Sequence, residues 1–358
     1  METFLSSTFL EVGELAEEGA SLIKTPLCEM LGIKYPIIQA PMGPFYTTKL
    51  AAAVTNAGAL GVISHTNLFG VDPVKEMEKN ILEVKENCDG PFGVNVRVAR
   101  IQIDAPAILE KIVELRSKDP ELRERLKLVI TSAGNPEPPA KFLKQKDPDL
   151  LHFHVAPTLY HAMKVDKLCD GIIATGYEGG GHQSYEGVTT LVLIPEVVNN
   201  CKKPVVACGG FSDGKGLAAA LAMGAIGVQM GTRFIATKEC EFHPAYKEFI
   251  LRSQDRDTVV VTGAFGPIRL LRNKYAMEHP QLLTKEEMIA RESRLTPQEI
   301  AEDMKKYELV YKGDIDNGPV LCGQSCGNVK DLPTVKELIE RIVKEAESII
   351  KGLNKYVV

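Results

Sequence analysis

Several features typical of nucleic-acid-binding and membrane proteins are missing from this sequence of 358 residues. It has no tryptophan, and its formal net charge of −5 is not offset by any basic cluster, which disfavours a polyanionic partner. The longest nearly apolar stretch, Leu217 to Met230, is interrupted by glycines and is too short to span a bilayer. The acidic N-terminal residues lack the basic region of a signal peptide. We therefore expect a cytoplasmic protein that binds neither nucleic acid nor membranes.

The cysteines do not form a recognisable metal-binding or disulfide pattern. The spacing of the eight is irregular, and Cys322 and Cys326 stand four apart without a matching second pair. Zinc and iron–sulfur sites are therefore not expected, and reduced thiols are the favoured interpretation. Apolar residues make up 44% of the chain and charged residues 25%, which is ordinary for a globular enzyme.

Short β-rich runs alternate with helical segments from Ile37 to Thr232. This alternation indicates βαβ units around a parallel sheet, and eight units predict a closed (β/α)8 TIM barrel, an α/β fold. A doubly wound sheet is the competing fold, but its Gly-x-Gly-x-x-Gly motif does not follow the first strand. The strand candidates are Ile37–Ala40, Leu60–Ser64, Phe92–Val96, Leu128–Thr131, Leu151–Val155, Gly171–Thr175, Pro204–Cys208 and Ile226–Met230.

The character of the sequence changes after the eighth strand. Residues 238–318 are charge-rich, with capping boxes that begin at Thr284 and Thr296, and predict a helical insertion that covers one end of the barrel as a lid. A last helix begins after Thr334 and carries an apolar stripe at helical spacing. We therefore expect an extension at residues 1–24, a barrel at 25–237 and 319–358, and the insertion between its two parts.

The sixth strand runs directly into Gly176-Tyr-Glu-Gly-Gly-Gly-His182. Glycines cost backbone entropy in regular structure, so this loop makes sense where the backbone must approach a ligand closely. It would hold His182 over that ligand, which makes His182 the first candidate for chemistry. The alternative is a solvent-facing histidine beside a tight turn.

The loops after the seventh and eighth strands carry a second signal. Gly209-Gly210 and Gly231-Thr232 offer backbone N–H groups in the two places where this fold often binds phosphate. These glycines could instead serve tight turns alone, and a phosphorylated metabolite could take the place of a cofactor.

Five motifs occur in order between Thr25 and Gly352: Pro36-Ile-Ile-Gln-Ala-Pro-Met-Gly43, Gly93-Val-Asn95, Glu178-Gly-Gly-Gly-His182, Ala207-Cys-Gly-Gly210 with Asp213-Gly214, and Gln229-Met-Gly-Thr-Arg-Phe234. Together they resemble the nitronate monooxygenase (2-nitropropane dioxygenase) family. That family also includes FMN-dependent enoyl-acyl-carrier-protein reductases and related dehydrogenases of acyl-CoA thioesters. The resemblance implies a barrel that binds FMN, with the flavin phosphate on the last two loops.

The resemblance also implies roles for individual residues. Ala40, Pro41 and Met42 would lie behind the flavin ring, Asn95 would hydrogen-bond it, and His182 would stand at its reacting face. Gly180 and Gly181 would allow the backbone to approach the ring. The phosphate and ribityl chain would be held by Gly209, Gly210, Gln229, Gly231 and Thr232. The remaining implied flavin contacts are Met230, Gln324, and Thr175, which stands where many nitronate monooxygenases have glutamine.

The other histidines are weaker candidates. His152 and His154 would point to the same side of the fifth strand, where buried hydrogen bonding is the favoured role. His65, after the second strand, is a second-tier site candidate. His161, His243 and His279 fall on helical stretches and are expected at the surface.

The resemblance implies an FMN-dependent oxidoreductase, first of all one that oxidises alkyl nitronates with O2 to a carbonyl compound and nitrite. His182 would orient and neutralise such an anion, but would act as general base or acid toward a neutral nitroalkane or an acyl thioester. The triple-glycine loop is closer to the branch that acts on thioesters, so an enoyl-thioester reductase or acyl-CoA dehydrogenase is the alternative. A flavin- or phosphate-binding subunit with little activity of its own, which serves a partner enzyme, is a third interpretation. A small-molecule substrate and a homodimer complete these expectations.

Overall fold

The computed structural model describes residues 23–357 apart from 69, 101, 264–265, 279–281, 293 and 295. The predicted extension at residues 1–24 lies almost wholly outside the described residues. Within them, no helix combines the length and the apolar character that crossing a membrane requires.

Eight parallel strands form the central sheet, in the spatial order β1-β9-β8-β6-β5-β4-β3-β2. A parallel bridge between Ile38 and Leu60 joins the first and last strands of that order and closes the barrel. The predicted (β/α)8 barrel and its eight strands are confirmed. The strands are β1 Ile37–Gln39, β2 Gly61–Ile63, β3 Phe92–Arg97, β4 Leu126–Ser132, β5 Leu151–Ala156, β6 Gly171–Thr175, β8 Val205–Cys208 and β9 Gly227–Met230, with the short β7, Gly181–His182, outside the barrel.

Helices follow the strands, and several of them begin where the sequence supplies a side-chain cap. At α3, for example, the Asp72 carboxylate accepts hydrogen bonds from the backbone N–H groups of Val74 and Lys75. The helices are α1 Pro26–Leu31, α2 Thr48–Asn56, α3 Pro73–Asn87, α4 Ala105–Lys118, α5 Pro120–Arg125, α6 Glu137–Lys146, α7 Leu159–Val165, α8 Thr190–Asn200, α9 Gly214–Ala222, α10 Thr232–Ile235, α11 Pro244–Arg252, α12 Lys274–Glu278, α13 Lys285–Glu292, α14 Pro297–Tyr311 and α15 Val335–Gly352.

Apolar side chains fill the barrel. Ile38, Ile130 and Phe153 belong to one buried cluster, against which Leu27 and Leu31 of α1 pack. A filled barrel has no central channel, so a ligand must bind at the strand ends.

The final helix completes the barrel wall. Thr334 and Glu337 form the predicted capping box, and the apolar stripe that follows is buried. Where α15 meets α9, a Cβ on Gly214 would lie 2.5 Å from the carbonyl oxygen of Ile342. Glycine at this position is therefore what allows the two helices to approach so closely.

The segment 238–318 is only partly helical. Alongside α11–α14 it contains an antiparallel hairpin, β10 Thr258–Gly263 and β11 Gly266–Leu271, and β11 also pairs with β7. The capping boxes at Thr284 and Thr296 are confirmed. The segment predicted as a helical insertion therefore also contains a pair of strands, because the β-branched run from Thr258 to Thr262 favours a strand.

Candidate functional site

A cavity of about 210 Å³ lies at the carboxyl ends of the strands, beneath residues 179–182. We call it the glycine-loop cavity. Every site residue predicted from the sequence lines it, with the exception of Gln324. These residues are Ala40, Pro41, Met42, Asn95, Thr175, Gly180, Gly181, His182, Gly209, Gly210, Gln229, Met230, Gly231 and Thr232.

Gln324 is placed differently from the other predicted residues. Its side chain is exposed, and its backbone N–H donates to the carbonyl oxygen of Glu178 at 2.9 Å. The flanking Gly323 and Ser325 line the cavity instead. The backbone of Gln324 therefore helps to hold the segment Gly176–His182, which we call the glycine loop.

The glycine loop is held on both sides. Gly181 and His182 pair with Arg269 and Ile268 of β11. On the other side, a Cβ on Gly180 would lie 2.6 Å from the carbonyl carbon of Cys322, so no larger residue fits without displacing the backbone. These contacts fix the height of the loop above the cavity.

Glycines are also required where the turn after β8 contacts the start of the glycine loop. Gly209 and Gly210 have φ angles of 94° and 84°, and a Cβ on Gly209 would lie 2.6 Å from the carbonyl oxygen of Gly176. Among the described residues, no acceptor binds the backbone N–H of Gly210 or Gly231. These two groups therefore remain free to bind an anion such as a phosphate.

The N-terminus of α9, in contrast, is already occupied by protein carboxylates. The N–H of Gly214 donates to Glu345 at 2.8 Å, and the N–H of Gly216 donates to Asp213 at 2.9 Å. Two of the first N–H groups of this helix are therefore already satisfied by protein, unlike those of the two glycine turns.

Two amides supply polar groups at the middle of the cavity. The Nε2 atom of Gln229 is buried without a hydrogen-bond partner. The Nδ2 atom of Asn95 donates to the carbonyl oxygen of Ile130 at 2.9 Å and to Ser132 Oγ at 3.3 Å. An unsatisfied buried donor is costly, so the Gln229 amide indicates a ligand that carries an acceptor at this point.

A second cavity, of about 440 Å³, adjoins the first, and we call it the side cavity. The two share Arg97, Ser132, Val155, Thr175 and His182 in their walls. Away from this junction, the side cavity is lined by polar and aromatic side chains that include Arg100, Gln102, His161, Tyr177, Gln183 and Tyr185. A ligand in the side cavity would therefore meet a ligand in the glycine-loop cavity beside His182.

His182 is neutral at pH 7. Its ring has accessible surface because it lines both open cavities, while protein atoms surround its other sides. Although the side chain is exposed toward the cavities, desolvation by the surrounding protein atoms, followed by the positive charge of Arg97, lowers the pKa of His182 to about 4. The imidazole can therefore accept a proton at neutral pH but is almost never protonated beforehand.

Arg97, at the end of β3, was not singled out by the sequence analysis. Its guanidinium lies at the junction of the cavities and donates from Nη2 to Asn67 and to the carbonyl oxygen of His65. Burial lowers the pKa of Arg97 to about 10, so the group remains a cation at pH 7. The one signal in the sequence is its spacing from Asn95, since residues two apart on a strand share a face.

His65 supports Arg97 and is fully buried. Its Nδ1 accepts from the backbone N–H of Arg97 at 3.1 Å, and its Nε2 donates to Asp104 at 3.0 Å. Desolvation lowers the pKa of His65, which fits a neutral ring with its proton on Nε2. The second-tier candidate is therefore a buried support for the cavity wall.

The remaining histidines divide into structural and cavity-lining groups. His152 and His154 both bond Thr131 Oγ1 at 2.6 Å, as expected for buried neighbours on one side of β5, and His154 also lines the side cavity. His161, which is half-buried, lines that cavity too. His279 lies outside the described residues.

No group of three or more His, Cys, Asp or Glu side chains within the described ranges is placed to hold a metal ion.

The chain is similar to known proteins over nearly its whole length. A family model for nitronate monooxygenase matches residues 24–345. The (3aS,4S,5R,7aS)-5-hydroxy-7a-methyl-1-oxo-octahydro-1H-indene-4-carboxyl-CoA dehydrogenase of Rhodococcus jostii is 31% identical, over 93% of this chain and 98% of its own. A probable nitronate monooxygenase of Staphylococcus saprophyticus is 29% identical, over 92% and 99%. Among solved structures, FabK from Thermotoga maritima is 34% identical with a TM-score of 0.78, covering 94% of this chain and 100% of that chain.

Proposed function

Because this chain belongs to the nitronate monooxygenase family of oxidoreductases, we propose that it binds FMN and dehydrogenates an acyl thioester. The observation that carries the proposal is the neutral His182 ring, which stands where the two cavities meet. A base at that junction can reach a substrate in the side cavity while a flavin occupies the glycine-loop cavity.

The glycine-loop cavity suits FMN. The N–H groups of Gly210 and Gly231 would bind the phosphate, and the unsatisfied Nε2 of Gln229 would donate to an acceptor on the flavin. Ala40, Pro41 and Met42 would form the wall behind the ring, opposite the glycine loop. FMN, when bound, supplies the capacity to accept a hydride, which no amino-acid side chain offers.

The neutral state of His182 suits it to accept a proton from the substrate. As a neutral imidazole, it would remove the proton from the carbon next to the thioester carbonyl, while a hydride leaves the adjacent carbon for FMN. The substrate thus loses two hydrogens and gains a carbon–carbon double bond.

The side cavity favours an extended substrate. Its volume of about 440 Å³ falls within the range of roughly 300–1,000 Å³ in which pockets enclose ligands of drug size. A nitronate of a few atoms would leave most of that space empty. The Rhodococcus jostii relative is named as a dehydrogenase of a carboxyl-CoA, which agrees with a thioester in this position.

Nitronate oxidation is the second candidate, and Arg97 is the observation that favours it. A cation beside His182 at the junction would hold the negatively charged nitro group of a nitronate. The matching family model and the Staphylococcus saprophyticus relative carry that name. In this reaction the substrate is already an anion, so His182 would orient it and would not need to take a proton.

An anaerobic absorbance titration of the FMN-loaded protein separates these candidates. Bleaching of the flavin by butyryl-CoA supports dehydrogenation of thioesters, whereas bleaching by ethyl nitronate alone supports nitronate oxidation. Bleaching by NADPH, followed by recovery when crotonyl-CoA is added, would show a reductase and contradict the proposal. A protein that takes up no FMN would remove the basis of all three.

A further inference from the structure

Arg97 is a buried cation without a carboxylate partner. Its side chain is only 8% exposed, and among the described residues no carboxylate lies within ion-pair distance of it. Taking a guanidinium out of water is expensive unless charge and hydrogen bonds compensate it. The nearest negative charge is that of Asp104, which is bound to His65.

The hydrogen bonds of Arg97 are also incomplete. A guanidinium has five N–H donors, and the two bonds to protein acceptors both leave from Nη2, toward Asn67 and His65. Nε is buried without any partner. The group is therefore fixed along one edge and unsatisfied elsewhere, in the wall that the two cavities share.

The immobility of this edge matters for what Arg97 can do. Its backbone N–H is bonded to His65, and its head is bonded to Asn67, so both ends of the residue are held by the loop after β2. A cation that is held before the ligand arrives loses little entropy on binding and stabilises negative charge strongly in a site of low polarity.

We infer that Arg97 is the residue that binds the negatively charged oxygen of the substrate at the junction of the two cavities. For an acyl thioester, this is the carbonyl oxygen, which becomes an enolate oxygen when His182 removes the neighbouring proton. This assignment to a thioester rests on the proposed function. The binding of an oxyanion as such does not, because any planar oxyanion at the junction would meet the same donors.

The test measures binding and not turnover. Acetoacetyl-CoA is titrated into the FMN-loaded protein under anaerobic conditions, and the absorbance of its enolate is followed. We expect the wild-type protein to bind the enolate and Arg97→Met to weaken its binding at least tenfold, while the Kd for FMN stays within twofold. Arg97→Lys, which keeps the charge but loses the planar fork, should lie between them.

Two matched variants keep the result interpretable. Arg123→Met makes the same change of charge at an exposed residue paired with Asp149 and should bind like the wild type. Arg97→Gln is a second neutral variant, in case the methionine variant loses thermal stability. Equal enolate binding by wild type and neutral variant would overturn the inference. A loss of FMN affinity as large as the loss of enolate affinity would also overturn it, because Arg97 would then act on the flavin.

A second probe separates failure of this inference from failure of the proposed function. If the wild-type protein does not bind acetoacetyl-CoA, the thioester proposal fails, and nitrate, a planar oxyanion that does not reduce flavin, takes its place. Perturbation of the flavin spectrum by nitrate that weakens at least tenfold in Arg97→Met supports the role of Arg97. Equal perturbation, or none in the wild-type protein, refutes it.

Discussion

Two individual side chains, one charged and one neutral at pH 7, determine the chemistry of the site. Arg97 is held as a cation, and that charge helps to keep His182 neutral. A base beside a cation is well placed to act on a proton next to a carbonyl, because the cation stabilises the negative charge that remains when the proton leaves. Neither residue would supply this combination alone.

The first prediction concerns His182 itself. In His182→Ala, kcat for oxidation of the thioester should fall by about 10²–10⁴-fold, the usual contribution of a positioned base. The flavin spectrum should be unchanged, since Gly181 and the backbone of the loop are retained. His161→Gln, which alters another histidine of the side cavity, is the control and should affect kcat far less. Equal kcat in His182→Ala and wild type would exclude the base role.

The second prediction is the pH dependence of the same reaction. A base must be deprotonated to act, so kcat/KM should be constant at neutral pH and fall as the pH drops through about 4, the lowered pKa of His182. If His182 acted instead as a proton donor, kcat/KM would be high below about pH 4 and would fall as the pH rises above it. The profile should be recorded with buffers that leave FMN bound, and the acid limb should disappear in His182→Ala.

Some residues of the site could be predicted from the sequence, and Arg97 could not. The sequence suggested His182 because three glycines precede it, and it suggested Gln229 through the resemblance of its motif. Arg97 has no comparable neighbourhood, since a charged residue at a strand end is most often a solvated one. Its importance depends on burial and on the position of Asn67, which belong to the fold and not to the local pattern.

At the scale of elements, the glycine loop is a part of two sheets. It continues from β6 of the barrel and pairs with β11 of the hairpin, so that the inserted segment directly positions His182. The sequence analysis predicted helices throughout residues 238–318, although the β-branched run from Thr258 to Thr262 favours the strand β10 that the structure contains. The pairing of its partner with Gly181 and His182 was not predictable, because it joins residues more than eighty positions apart.

The third prediction tests the glycine turn that would hold the flavin phosphate. Gly209→Ala should weaken FMN binding at least tenfold, because the residue has a φ of 94° and its Cβ would lie 2.6 Å from the oxygen of Gly176. Gly32→Ala is the matched control: it has a φ of 70°, but nothing lies within 4 Å of the added Cβ. Both variants should lose about 1 kcal/mol of unfolding free energy from backbone strain, and Gly209→Ala should lose more because of its contact with Gly176. The Kd for FMN, measured by flavin fluorescence, should change only in Gly209→Ala.

The fourth prediction concerns the attachment of the hairpin to the glycine loop. Arg269 is buried and donates to the carbonyl oxygen of Tyr177 at 3.1 Å and to Thr258 Oγ1 at 2.9 Å. Arg269→Met would leave these acceptors unsatisfied at a cost of about 1–3 kcal/mol, and we expect a lower Tm and a KM raised several-fold. Arg272→Met, at an exposed position just after the same strand, should change neither. An unchanged KM in Arg269→Met would show that the loop keeps its position without this contact.

At the scale of the whole molecule, the sequence predicted the barrel well because each of its units is local. The local sequence predicts each strand and helix, as in the apolar run Gly171–Thr175 and the capped helix Pro73–Asn87. Eight such units in succession then predict a closed barrel. What the sequence could not show is how the segment after the barrel packs on it. Phe45, between β1 and α2, stacks on Tyr311 of α14 with 5.4 Å between the ring centroids. It meets Phe242 edge-on with 5.0 Å between the centroids. These rings join residues about 200–270 positions apart in the sequence, and Phe45 and Phe242 also line the glycine-loop cavity.

A second contact between the same two parts of the molecule is a buried carboxyl group. The Glu241 side chain accepts from the backbone N–H groups of Lys49 at 2.6 Å and Leu50 at 3.3 Å, and so caps α2. Burial raises the pKa of Glu241 to about 7, even though these N–H groups oppose the shift. The group therefore binds a proton more tightly in the folded chain than in the unfolded one.

This difference predicts how stability varies with pH. Between the ordinary glutamate pKa of 4.5 and about 7, the unfolded chain has released the proton and the folded chain retains it, so the free energy of unfolding should fall as the pH rises through that window. Glu241→Gln removes the titration, while its single amide oxygen can still accept from Lys49, the nearer of the two donors. We expect the Tm of wild type and variant to agree near pH 4.5 and the variant to exceed the wild type by roughly 2 °C at pH 8. A variant less stable than the wild type at pH 8 would mean that the attraction between a carboxylate and the N-terminus of α2 outweighs the cost of burying its charge.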